Sequence, residues 1–147
     1  MSITRQKPNT VHLGGHVEVI NDVPAGVAIT PGYLIERYKA TTMKFRPHAT
    51  SAGLGAKTVA LNQPYLNLGI DTAYAIGDLV DAAIASPGAS FYMLIASGQN
   101  LALGDMLESA GDGTLNKYGS GVRLFQALED ANNTAGPGAM RIRVEAL

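Results

Sequence analysis

Few residues in this chain have the type and spacing for chemistry. Asp78 and Asp81, and again Asp105 and Glu108, recur in the same local context. Two carboxylates within several ångströms could do acid–base work, and Asp78 with Asp105 in one pocket would make a small β-barrel enzyme or ligand-binding module. The recurrence also has a structural reading. The first acid of each pair follows a glycine, where an aspartate oxygen can accept a backbone hydrogen bond and cap a turn. The second acid would then face solvent. His12 and His16 are four apart, like two zinc ligands on a helix, and His48 could be a third. Gly14 and Gly15 lie between the first two and oppose a helix, so ordinary surface histidines and no metal are expected. Gly53-Leu54-Gly55-Ala56-Lys57-Thr58 falls short of a phosphate loop, which needs glycine directly before the lysine and a helix after it. There is no Gly-x-Ser-x-Gly elbow. There is no cysteine, which removes thiol catalysis, disulfides and Cys-based zinc sites. No catalytic residue and no cofactor is expected, and the chain does not read as an enzyme.

Charge narrows the partners. Eleven Lys and Arg stand against twelve Asp and Glu, for a net charge of -1. A nucleic-acid binder draws most of its affinity from neutralising phosphates, and this balance does not supply it. Charged residues are 16% of the chain, below the ~25% of an ordinary domain. A surface so thinly charged suits contact with protein. The start is polar with no apolar h-region behind it, and no run nears the ~18 apolar residues of a membrane helix. Neither nucleic acid nor membrane is expected as a direct partner.

The elements that position these residues read as strands. The chain has 147 residues, the size of one domain. Its 17 glycines and 7 prolines punctuate short apolar runs, which is the all-β pattern. Met140, Ile142, Val144 and Ala146 alternate with Arg141, Arg143 and Glu145 as a closing strand. Met43, Phe45 and Pro47 alternate with charged neighbours, and the proline suggests an edge strand. Val17 and Val19 flank Glu18 in a third. Residues 90–96 are apolar on both faces and read as a central strand. Asp112-Gly113 between apolar segments marks a hairpin. Residues 29–36, 74–81 and 101–108 share an apolar-Gly-x-apolar-apolar pattern, a reused corner from turn to strand. Residues 79–84 and 122–130 also have tolerable helical spacing, so helix and strand both stay open there. Residues 1–15 lack a pattern and read as an extended arm, with residues 16–147 as one β-rich domain. Residues 49–57 and 131–139 read as loops. The expected fold is mainly β, with at most one or two short helices.

Four features together resemble the small capsid decoration, or cement, proteins of tailed bacteriophages. They are the arm before Val17, the turn Ala75-Ile76-Gly77-Asp78-Leu79-Val80, the segment Phe125 to Ala131 with its Gly/Pro linker, and the strand Met140-Arg141-Ile142-Arg143-Val144. The resemblance implies a small β-barrel or β-tulip-like domain on the outer surface of a virion shell. It implies a homo-oligomer, a trimer before a dimer, that bridges neighbouring major capsid protein subunits and adds no chemistry. In that setting Arg5, Lys7, Pro8, His12 and His16 are the expected partner contacts of the arm. Another virion part, such as a tail component or a capsid accessory domain, is the rival within the same class.

Overall fold

The computed structural model describes residues 7–147. Among them the chain forms β1 (His12–Gly14), β2 (Val17–Ile20), β3 (Leu34–Lys39), β4 (Met43–Pro47), β5 (Thr58–Ala60), β6 (Ala82–Ala85), β7 (Ser90–Ile95), β8 (Asn100–Leu101), β9 (Met106–Ser109), β10 (Leu115–Lys117), β11 (Phe125–Ala127), β12 (Ala131–Asn132) and β13 (Met140–Ala146). A single-turn 3-10 helix at Pro64–Leu66 is the one helix among the described residues.

Strands β7, β10, β9, β11 and β13 close into a five-stranded barrel, because β7 pairs with both β10 and β13. Closure leaves these strands no free edge. β13 runs antiparallel to β7 along its length, from Met140 opposite Ile95 to Glu145 opposite Ser90. On the other side of β7, β1 pairs near Phe91 and β10 pairs at Ile95. A strand enclosed on both sides reads as a continuous apolar run, which is why residues 91–95 are all buried. The β9–β10 hairpin turns through Gly111 (φ 90°) and Gly113 (φ 91°), a backbone region that disfavours a Cβ.

The second sheet is open, in the order β2-β6-β5-β3-β4. Its strands alternate between two cores. Leu34, Val59 and Ala83 join Phe91, Phe125 and Ile142 in the barrel core. Their neighbours Ile35, Ala60 and Ala82 pack on the opposite face with Phe45, Ile29 and Tyr74. Each fully buried phenylalanine contributes about 2–3 kcal/mol through apolar burial.

The three repeated corners are real. In each, the amide of Tyr33, Asp78 or Asp105 donates to the carbonyl three residues back, at 3.0–3.1 Å. The glycine before it has a φ of 90–95°, as the third position of a type II turn requires. Ser86-Pro87-Gly88-Ala89 is a fourth such turn.

Several expectations change. Residues 82–85 and 125–127 are strands. Cross-strand pairing overrides their helical spacing. Within the segment read as an arm, Val11 is wholly buried and His12–Gly14 pair with β7. His48 is fully buried rather than on the surface. Its Nδ1 lies 2.7 Å from Ser109 Oγ and its Nε2 lies 3.2 Å from the Leu54 carbonyl.

Candidate functional site

Between β5 and β6 the chain leaves the sheet for an excursion over residues 61–81. Its base is fixed by Asn62, a buried side chain whose Oδ1 accepts from the Val11 amide (3.0 Å) and the Thr10 hydroxyl (3.4 Å). Pro64 suits the first helical position, where its missing N–H costs nothing. Asn67 then turns left-handed (φ 58°) and ends the helix after one turn. The Tyr65 hydroxyl donates to Asp81 Oδ2 at 2.6 Å. The Tyr74 hydroxyl donates to the Leu61 carbonyl at 2.5 Å and accepts from the Asp81 amide at 3.3 Å. The hydrogen bond to Asp81 raises the Tyr65 phenol above its ordinary pKa, with burial and the carboxylate's charge adding to it. Burial pushes Tyr74 up; the hydrogen bond from the Asp81 amide opposes this, and the nearby charges of Asp81 and Asp78 add to the rise. The excursion is therefore pinned at both ends.

What it presents outward is apolar. Tyr65 is 68% exposed, Leu66 56%, Ile76 71% and Leu79 54%. Tyr65, Leu66, Leu68 and Leu79 line an open hollow of about 500 Å³. A second hollow of about 360 Å³ lies between Asn9 and the loop at Pro64, Asn67 and Leu68. Leu68 borders both, but the second hollow is lined mainly by the polar Asn9, Asn62 and Asn67, so the apolar surface is the part around Tyr65, Leu66, Leu68 and Leu79. A contiguous exposed apolar surface on a domain is the mark of an interaction site.

The residues singled out in the sequence are scattered relative to this surface. Arg5 lies outside the described residues. Lys7 is exposed and Pro8 half-buried, next to the second hollow's Asn9. His12 belongs to the barrel wall. Its ring is 5.6 Å from that of Phe91, and its Nε2 lies 3.1 Å from the carbonyls of Gly14 and Gly15. His16 is exposed beyond Gly15. No group of three His, Asp or Glu that could hold a metal occurs among the described residues.

Asp78 Oδ2 accepts from the Ala75 amide and Asp105 Oδ2 from the Ala102 amide, both at 2.9 Å. Both first acids thus cap their turns. That backbone bond, followed by Lys117 at 3.1 Å, holds the Asp105 carboxyl below its ordinary pKa. Asp78 borders the larger hollow and Asp105 is not among the residues lining it. The second acids are not solvent-facing: Asp81 is buried, and Glu108 accepts from the Gly121 amide at 3.0 Å. Tyr65, Leu66 and Leu79 were not singled out in the sequence. Their signal is the placing of large apolar residues beside Pro64, Asn67 and Gly77, where turn chemistry leaves side chains outside a core.

No protein-family model and no curated protein matches the sequence. Among solved structures, the fold is similar to the head fiber gp8.5 N base in bacteriophage phi29. The TM-score is 0.59 at 12% sequence identity, and the alignment covers 90% of this chain and 95% of that chain.

Proposed function

We propose that this chain is a structural virion protein that seats on the outer surface of a phage head and bridges neighbouring major capsid subunits. The observation that carries this reading is the strip of exposed apolar side chains Tyr65, Leu66, Leu68 and Leu79, with Asn9 of the N-terminal segment beside Leu68. Apolar side chains held out on a pinned loop gain free energy only when a partner covers them. Lys7 and Pro8, next to Asn9, extend the contact along the partner. A homotrimer would present three strips at once, and linked weak contacts multiply into strong attachment. Shape and main-chain pairing do this work, and no reactive group is required.

The fold likeness to a phage head fiber base supports the virion setting and favours a second reading, in which the domain anchors a fiber to the head. Purified expanded phage shells separate the outcomes. The intact protein should pellet with shells at a fixed ratio, and a protein lacking residues 1–9 should fold and pellet less. The deletion stops at residue 9 because Val11 is core and His12–Gly14 are paired. Failure of the intact protein to pellet with any shell would overturn the reading.

A further inference from the structure

The open sheet carries a hollow of about 310 Å³, lined by Ile20, Glu36, Arg37, Leu54, Thr58 and Ile84 among others. Pairing runs from β2 through β6 and β5 to β3, so the hollow crosses three strand spacings, roughly 14 Å. Glu18, Ile84, Thr58 and Ile35 face one another across those strands. Leu54 walls the hollow from the loop and is 79% exposed.

Two polar groups in this apolar trough lack partners. Thr58 is only 6% exposed, yet none of the hydrogen bonds among the described residues uses its hydroxyl. That oxygen is not sealed in protein, since among the described residues the only fully buried side-chain polar atom without a partner is Arg141 Nε. Arg37 is exposed and has no carboxylate within ion-pair distance among the described residues. Its guanidinium stands 5.9 Å from the centroid of the Phe45 ring. The acid beside it, Glu36, is already taken, accepting from Arg46 Nε at 2.9 Å and the Ala49 amide at 3.2 Å. A trough with apolar walls at Ile20, Leu54 and Ile84, a free hydroxyl, an unpaired cation and an acid already neutralised by Arg46 is complementary to an aliphatic anion.

We infer that this trough binds an aliphatic carboxylate, its chain along Ile20, Leu54 and Ile84, its carboxylate on Arg37, with the Thr58 hydroxyl as a further donor. Two sources share that chemistry: a free medium-chain acid, and the aliphatic C-terminal residue of a polypeptide.

The test is NMR titration of the intact, isotopically labelled protein with octanoate, octylammonium and an acetylated tripeptide ending in leucine with a free carboxylate. Octanoate should give saturable shifts confined to the amides of residues 18–20, 35–37, 54–58 and 84. It should bind about tenfold more tightly than octylammonium, the worth of one charge-assisted contact. Arg37→Gln should erase that preference and leave the unfolding midpoint unchanged, as suits an exposed side chain. Thr58→Val should weaken octanoate severalfold. Whichever of octanoate and the peptide binds more tightly names the source. Shifts spread over the whole surface, or centred on Tyr65 and Leu66, would overturn the inference. So would an octanoate preference that survives Arg37→Gln.

Discussion

Replacing Arg141 with methionine should cost about 2–3 kcal/mol and loosen the apolar excursion. The Arg141 side chain reaches from β13 to the turn before β3 and to the excursion over residues 61–81. Its Nη2 donates to the carbonyls of Pro31 (3.0 Å) and Ile70 (2.5 Å), and its Nη1 to Asp71 Oδ1 (2.6 Å). The Arg141 side chain is 12% exposed, whereas that of Asp71 is 86% exposed. The ion pair is therefore screened and adds less than about 1 kcal/mol. The two carbonyl bonds come from a charged donor and contribute about 1.5–3 kcal/mol each. Against them stands the buried Nε–H, which has no partner and offsets about 1–3 kcal/mol. Methionine keeps the apolar stem, so the loss isolates the guanidinium. Urea unfolding measures it, and a change of this size should lower Tm by roughly 5–10 °C in a chain of this length. Asp71→Asn should change stability by less than about 1 kcal/mol. Hydrogen exchange in Arg141→Met should quicken most at residues 66–74, the part of the excursion nearest the lost ties. A loss under about 0.5 kcal/mol, or exchange that quickens uniformly, would refute the reasoning.

Glycine substitutions should separate crowding from backbone strain. A Cβ on Gly113 would stand 2.9 Å from both Pro47 Cβ and the Tyr33 ring, whereas one on Gly77 meets nothing within 4 Å. Both have a φ of 90–91°, so Gly77→Ala should cost about 1–2 kcal/mol from strain alone and Gly113→Ala about 1–3 kcal/mol more by chemical unfolding. Asp105 carries a pH signature. Its folded-state pKa is depressed, so its stabilisation is complete above the ordinary carboxylate pKa and disappears as pH falls through the folded value. The Tm gap between the parent and Asp105→Asn should be constant at neutral pH and shrink only below about pH 4. A gap that grows on acidification would contradict that assignment.

Much of this fold was legible, and particular residues show why the rest was not. β13 and the β9–β10 hairpin announce themselves by strict alternation and by Asp112-Gly113, because local physics decides both. The turn-capping roles of Asp78 and Asp105 were equally local. Residues 79–84 and 122–130 stayed ambiguous because short apolar runs fit either period, and the choice is made by pairing with distant strands. The pairing of β1 within the arm was not legible because His12-Leu13-Gly14 is too short to carry a pattern, while its partner Phe91 lies far along the chain. The candidate site was the least legible part. Tyr65, Leu66 and Leu79 are of the same residue types as the core, and only the structure separates an apolar side chain held outward from one turned in. His48 and Asp81 failed in the opposite sense, as polar residues buried with hydrogen-bond partners a sequence cannot name.

The most direct test of the interaction strip is shell binding by Leu66→Ser/Leu79→Ser. Both side chains are more than half exposed, so the variant should keep its unfolding midpoint. If the strip is the docking surface, losing two apolar contacts should weaken co-sedimentation with expanded phage shells about 100-fold. Binding equal to that of the parent protein would contradict the account.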